Sequence, residues 1–441
     1  MEEEGNATGR PVMVEGETGR REIETGIDAS MLHVDADRLW AEILATARFG
    51  AHGATGMNRL ALGAADRDVR QWFETECRAL GCTVEVDRIG NMFATYPGSQ
   101  PDLPSIAVGS HLDTQPGGGR FDGILGVLAG MEILRVLRES GRKLAHPLTV
   151  INWTNEEGSR FAPAMMGSGV FCGVHALEAM LARADKDGVT VAEALETTGY
   201  RGPHVPGHLP LAAYLELHIE QGPVLEAEER EVGVVTGMQG LRWLDIRVCG
   251  IDAHAGAFPM SLRRDALVRA AKIVLGVEAL ALEHPPGVAT VGSLHLAPNS
   301  RNVVPGEVRL EVDMRHPDED GLEAMEAALR DYLAQQAPEA QVSVIWRKTP
   351  IQFDASLRAV IRKEADGLGL SAMGMVSGAG HDAAFLAGRV PSAMIFIPSR
   401  EGLSHNEREF SSPKQCADGA NVLLRSVLRA DELLASTQDR S

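Results

Sequence analysis

Residues 106–138 read IAVGSHLDTQPGGGRFDGILGVLAGMEILRVLR. Ile106-Ala107-Val108 has the apolar character of a strand buried on both faces, and apolar positions 124, 127, 128, 131 and 134 repeat at helical spacing. A strand that passes through a loop into a helix is the repeating half-unit of a parallel α/β sheet. Functional groups in such sheets gather beyond the carboxyl ends of the strands. There this chain sets His111, Asp113 and Asp122 among four glycines. The segment GGGRFDG lacks the GK[ST] ending of a phosphate loop and the GxGxxG spacing of a dinucleotide site. Its glycines read instead as steric freedom, since positive φ lets the backbone bend and carry Asp122 close to its neighbours.

Outward from this unit, helix patterns at Leu39–Phe49 and Asp66–Leu80, a hairpin of Val84–Val86 with Met92–Tyr96, and strands at Leu148–Trp153 and Tyr214–Ile219 keep helix and strand alternating. From residue 238 to 349 the pattern changes. Leu244–Val248 and Val308–Met314 alternate apolar and polar, as strands with one wet face do. With helices at 261–283 and 320–335 and strands at Ala289–Leu296 and Val342–Trp346, the order is β-α-β-β-α-β, the ferredoxin-like arrangement. After 350 the parallel-sheet pattern returns, with a helix at 355–368, a helix starting near Asp382 and a strand at Ser392–Phe396. The expected fold class is α/β: a mainly parallel-sheet domain over 31–237 and 350–441, an inserted ferredoxin-like βαββαβ domain over 238–349, and a flexible polar arm at 1–30.

The bulk properties narrow the function. A chain of 441 residues exceeds one ordinary core, and its 44% hydrophobic and 23% charged residues are those of a soluble globular protein. No apolar run approaches the ~18–20 residues of a membrane span, and the N-terminal stretch lacks the apolar core of a secretion signal, so a cytoplasmic protein without a membrane partner is expected. A net charge of −19 argues against nucleic acid as a partner. Five scattered cysteines without a CxxC pair read as reduced thiols outside the chemistry.

What carries the chemistry is convergence. His111 and Asp113 follow one strand, Glu156 and Glu157 another, His218 ends a third, and His405 follows a fourth, while Asp122 closes the glycine-rich loop. Singly, each has an ordinary explanation: a His–Asp hydrogen bond, a solvated turn, a polar loop. Together they bring imidazole and carboxylate, the donors that Zn²⁺ and similar ions take, to one sheet edge. Three histidines and two carboxylates exceed one open site, so two divalent ions sharing a carboxylate is the expectation. Asp113 is placed to accept the second ring N–H of His111 and fix its tautomer. Of the paired Glu156 and Glu157, one suits a metal and the other proton transfer beside it.

The motifs GSHLDT, GGRFDG, NEEGSRF, ELHIEQG, DAHAG, NVVPG, SGAGHDA and SHNE, spread over residues 36–430, resemble those of the dinuclear zinc amidohydrolases of the aminoacylase and carboxypeptidase superfamily. The resemblance is to its N-carbamoyl-L-amino-acid hydrolase, β-ureidopropionase and allantoate amidohydrolase branch, because the peptidase branches carry an acidic residue where this chain has His218. It implies that His111 and His218 serve opposite metals, that Asp122 bridges, and that Glu157 and His405 complete the ligand set. Glu156 becomes the general base. Gln221, His254, Asn302 and Arg315 match residues that hold substrate, and His254 also stabilises the oxyanion. The inserted domain becomes a lid and a homodimer contact.

The activity so implied is metal-dependent hydrolysis of the ureido C–N bond of a carboxylate-bearing N-carbamoyl amino acid, yielding the amino acid, ammonia and carbon dioxide. Zn²⁺ is the first expectation for the ions, with Mn²⁺, Co²⁺ and Ni²⁺ admitted by the same ligands. Allantoate is the near alternative substrate. His218 disfavours a peptidase or aminoacylase, and an intact Glu156 disfavours a metal-binding protein without catalysis.

Overall fold

The computed structural model describes residues 32–438, so the expected arm at 1–30 lies outside the described residues. Its centre is a nine-stranded sheet. Ser105–His111 pairs in parallel with Leu148–Trp153 on one side and with Leu211–Ile219 on the other, and Leu211–Ile219 pairs in parallel with Ser392–Ile397. Those four strands are the parallel heart. Thr83–Val86 and Met92–Tyr96 extend it antiparallel at one edge. At the other edge lie Val232–Met238, Ala372–Ser377 and the two-residue Ile351–Gln352.

Burial on both faces explains why the central strands are so uniformly apolar. On one face Ile106, Val108, Val150, Leu215 and Leu217 join the helices Ile124–Ser140 and Pro413–Gln438 in a single core. On the other, Ala107, Ile151, Trp153, Tyr214 and Phe396 pack around Phe93 and Phe171. The helix Ile124–Ser140 lies very close to the sheet. A Cβ on Gly126 would stand 2.5 Å from the carbonyl oxygen of Leu217.

Among the elements not expected from the sequence, two bear on the large sheet's packing. The strand Val232–Met238 carries two glycines in VGVVTGM, which dilute its β signal. The helix Pro413–Gln438 goes unexpected although its buried Leu423, Leu424, Val427 and Leu428 keep helical spacing. A third difference is one of boundary. The expected helix at 261–283 begins only at Ala266, because Asp265 caps it by accepting the amides of Leu267 and Val268.

Residues 240–348 form a separate four-stranded antiparallel sheet of Gly240–Cys249, Val288–Ala297, Glu307–His316 and Gln341–Lys348. Helices Ala266–Glu283 and Glu319–Gln336 cover one face, with Ile246, Val248, Ile273, Leu310, Val312 and Leu329 between the layers. Along the sheet the strands stand in the order second, third, first, fourth of their sequence. The other face is solvated, which is why these strands alternate.

Candidate metal centre

His111 is the last residue of Ser105–His111, and His218 lies one residue from the end of the adjacent Leu211–Ile219. Each ring has its Nδ1 tied to a backbone carbonyl, 2.9 Å to Asp113 for His111 and 2.9 Å to Ile219 for His218. Nδ1 therefore carries the proton, and the Nε2 lone pairs face Asp122. His218 Nε2 lies 3.1 Å and His111 Nε2 3.4 Å from the same oxygen, Asp122 Oδ1. The second oxygen, Oδ2, faces His405 Nε2 at 3.6 Å, and Glu157 stands 3.5 Å from that ring. Two donor groups result, His111–Asp122–His218 and Asp122–Glu157–His405.

This arrangement corrects two expectations. His111 and His218 do not sit on opposite sides of Asp122. They come from neighbouring strands, with ring centroids 6.0 Å apart, and share one oxygen. Nor does the Asp113 carboxylate orient His111. That role falls to the Asp113 backbone carbonyl, while the carboxylate lies 3.8 Å from Nδ1. The carboxylate instead accepts the amides of Glu156 and Glu157, each at 3.3 Å, and so positions the glutamate pair.

Asp122 owes its place to Gly123, whose φ is +70° and which has no room for a side chain, since a Cβ would stand within 2.4 Å of the His111 ring. Strain gathers around the site. Asn155, Met165, Gln221 and His405 all hold positive φ, between 50° and 59°, a cost of about 1–3 kcal/mol each that clusters at functional sites.

The charges are buried and crowded. Burial opposes ionisation of Asp122, but His218 and His111 outweigh it and hold the carboxyl well below its usual range. Burial pushes Glu156 well above its usual range, with Asp382 and Glu157 adding to the rise and His111 opposing it. Burial and the charge of Asp122 raise Glu157 to about 8. Burial would lower His111, yet the carboxylates of Glu156 and Asp122 raise it well above 6.5. A dense set of carboxylates thus shares protons with His111 and His218, and the Nε2 atoms of three rings converge on Asp122. This donor set fits divalent cations, which would replace those protons.

Beside the donors, Glu156 Oε2 stands 3.5 Å from His111 Nε2. A cavity lined by Gln115, Glu156, Met165, Gln221, Gly380 and His381 opens at the cluster. Gln221, expected to hold substrate, donates to Asp122 Oδ2 at 2.7 Å. Arg315 does not enter the cavity. Its guanidinium is engaged by Asp313 at 2.8 Å and donates to the carbonyl of Gly378 at 2.9 Å, joining the four-stranded sheet to the SGAGHDA loop. His254 and Asn302 are exposed and outside the cavity lining. They lie near one another, since Ala255 N–H donates to the Asn302 carbonyl at 2.9 Å.

Several neighbours were not anticipated. Gln115 donates to Glu157 at 2.8 Å, Ser404 to Asp122 at 2.8 Å, and Glu409 accepts the amides of Phe121 and Asp122 at 3.0 and 3.1 Å. All three sit within six residues of a recognised donor, which was the available signal. Lys348 had none. Burial and then the charge of Arg315 lower its ammonium, with Glu156 acting in the opposite sense.

Comparison with known proteins points the same way. The model of peptidase family M20/M25/M40 matches residues 107–429. An N-carbamoyl-L-amino-acid amidohydrolase of Rhizobium meliloti is 44% identical over 410 residues, covering 91% of this chain and 98% of that protein. An allantoate amidohydrolase of Bacillus subtilis is 34% identical over 384 residues, covering 86% and 93%. Among solved structures, a hydantoinase/carbamoylase family amidase of Burkholderia multivorans superposes with a TM-score of 0.87 at 47% identity, covering 90% of this chain and 98% of that one. The chain belongs to peptidase family M20/M25/M40.

Proposed function

We propose that this chain hydrolyses the ureido C–N bond of N-carbamoyl-L-amino acids, with two divalent ions held by His111, Asp122 and His218 and by Asp122, Glu157 and His405. The observation that carries this reading is the shared Asp122 carboxylate, one oxygen facing each donor group, with Glu156 alongside. The relatives named for carbamoyl hydrolysis support it at 34–44% identity over nearly their whole length.

Bound divalent cations supply acidified water and polarisation of the carbonyl under attack. The protein's own part is proton traffic and positioning. Glu156, held by the amide contact to Asp113, takes a proton at its carboxylate and returns it to the leaving nitrogen. A carboxylate 3.5 Å from His111 Nε2, beside the donor groups, suits both steps. Met165 and Gly380 narrow the cavity around the reacting group. The products are the amino acid, ammonia and carbon dioxide.

The ferredoxin-like unit is read as a lid. Arg315 would exchange Asp313 for the substrate carboxylate, since a guanidinium fork pairs with either, while His254 and Asn302 would reach substrate on closure or from a partner subunit. Exposed Val268, Leu275 and Leu282 on the helix Ala266–Glu283 suit a homodimer contact, which light scattering at twice the chain mass would support and the single-chain mass would exclude.

The test is an ammonia-release screen of metal-stripped, Zn²⁺- or Mn²⁺-reconstituted protein against N-carbamoyl-α-amino acids, N-carbamoyl-β-alanine and allantoate. Turnover of allantoate alone would favour the second reading, which the Bacillus subtilis relative motivates. Glu156→Gln should keep its metal and lose about 10²–10⁴ in kcat. A variant with wild-type turnover removes Glu156 from the reaction.

A further inference from the structure

We propose a second, separate metal site at the sheet edge, in which Glu85, His204 and His208 take one divalent transition-metal ion of the Zn²⁺ class. The three side chains each offer an atom within 4.8 Å of the others. Glu85 Oε1 lies 3.2 Å from His204 Nε2, and Glu85 Oε2 lies 3.8 Å from His208 Nε2. Tetrahedral Zn²⁺ with bonds of roughly 2.0–2.1 Å separates its ligands by about 3.4 Å, so the cluster is already near the required spacing.

The Glu85 carboxylate turns one oxygen toward each ring, the closer contact being to His204. The His208 ring stacks on His204 with centroids 4.6 Å apart and planes 17° apart, so one ring must turn for both Nε2 lone pairs to meet at one ion. Both nitrogens of His208 are shielded from solvent, and among the described residues the nearest acidic group to its Nε2 is Glu85 at 3.8 Å, beyond hydrogen-bond distance. A cation between the rings and Glu85 would use Nε2 of both histidines and one carboxylate oxygen. The side chains of His204 and Glu85 are 36% and 35% exposed, which leaves one side open for the ion to enter and for water to complete the coordination.

The backbone fixes the donors beforehand. Glu85 lies on Thr83–Val86, the outermost strand of the large sheet. The segment carrying the histidines runs along that strand. Arg88 N–H donates to the His204 carbonyl at 2.9 Å, and Gly202 N–H donates to the Asp87 carbonyl at 3.0 Å. The ring of His208 is further seated edge-on against Phe93 at 5.3 Å. An ion here would fasten the connection before Leu211–Ile219 to the outermost strand of the large sheet, a structural role.

The experiment uses the full chain with its active centre loaded. After incubation with Zn²⁺ and gel filtration, the His204→Ala/His208→Ala protein should hold one metal equivalent fewer than wild type while hydrolysing substrate at the same rate. In unsubstituted protein, Zn²⁺ at about ten times its Kd should slow diethylpyrocarbonate modification of His204, mapped by mass spectrometry, about tenfold. Equal metal content in the two proteins would overturn the site. Should the variant fail to fold, the modification rate decides alone, and a rate unchanged by Zn²⁺ overturns it.

Discussion

Asp113→Asn separates two ways of reading one buried side chain. The Asp113 carboxylate accepts the amides of Glu156 and Glu157 at 3.3 Å each, while its backbone carbonyl holds His111. An asparagine keeps one acceptor oxygen and turns an NH₂ group toward the other amide. A hydrogen bond to a charged group is worth about 1.5–3 kcal/mol, and a stranded buried N–H costs about 1–3 kcal/mol. At these long distances the low ends apply, giving about 2.5 kcal/mol in total. Expressed as misplacement of Glu156 in the transition state, that is about 70-fold in kcat. Metal content should stay at the wild-type level, because the carbonyl that fixes His111 is untouched. Ammonia release across substrate concentrations and elemental analysis of the same preparation measure both. Loss of metal with kcat per loaded site unchanged would refute the argument, since it would mean that the carboxylate serves the histidine after all.

Three further outcomes rest on the same geometry. Gly126→Ala sets a Cβ 2.5 Å from the Leu217 carbonyl oxygen and 3.0 Å from Ser110 Cβ, so it should destabilise by about 1–3 kcal/mol; an unchanged urea midpoint would contradict the close helix–sheet contact. Metal affinity should rise with pH up to about 8. Glu157 titrates there without metal, so below that pH an entering cation must displace its proton, at up to about tenfold in affinity per unit per proton. A chelator competition that is flat from about pH 6 to about pH 8 would count against those trapped protons. Arg315→Ala should raise KM for carboxylate-bearing substrates with kcat little changed, and an unaltered KM would exclude the clamp.

The donors of the centre were readable because strand ends are readable. Ile106–Val108, Leu148–Trp153 and Tyr214–Ile219 are short apolar runs with polar residues at or just beyond their carboxyl ends, so His111, Glu156 and His218 fall at one edge once the sheet is parallel. Which oxygen of Asp122 each ring meets is not a property of spacing. It depends on Ser105–His111 lying beside Leu211–Ile219, a pairing between residues about a hundred positions apart. The same limit hid the division of labour in Asp113, whose carbonyl and carboxylate lie in one residue yet serve different partners. The surroundings of Lys348 were invisible because nothing in Val342–Trp346 or its flanks announces that Arg315 and Glu156 lie near it.

Every donor of the centre, and Glu156 with them, comes from residues 111–218 and 405. Arg315 meets this body through the Gly378 carbonyl. On the proposed reading, the hold on the ions and the grip of Arg315 on the substrate carboxylate belong to different pieces of chain, joined at Met238–Gly240 and Lys348–Ile351. A chimera that takes its middle segment from the allantoate-hydrolysing relative should keep its ion affinity while its preference among ureido compounds moves, so that selectivity in this lineage can drift without rebuilding the chemistry.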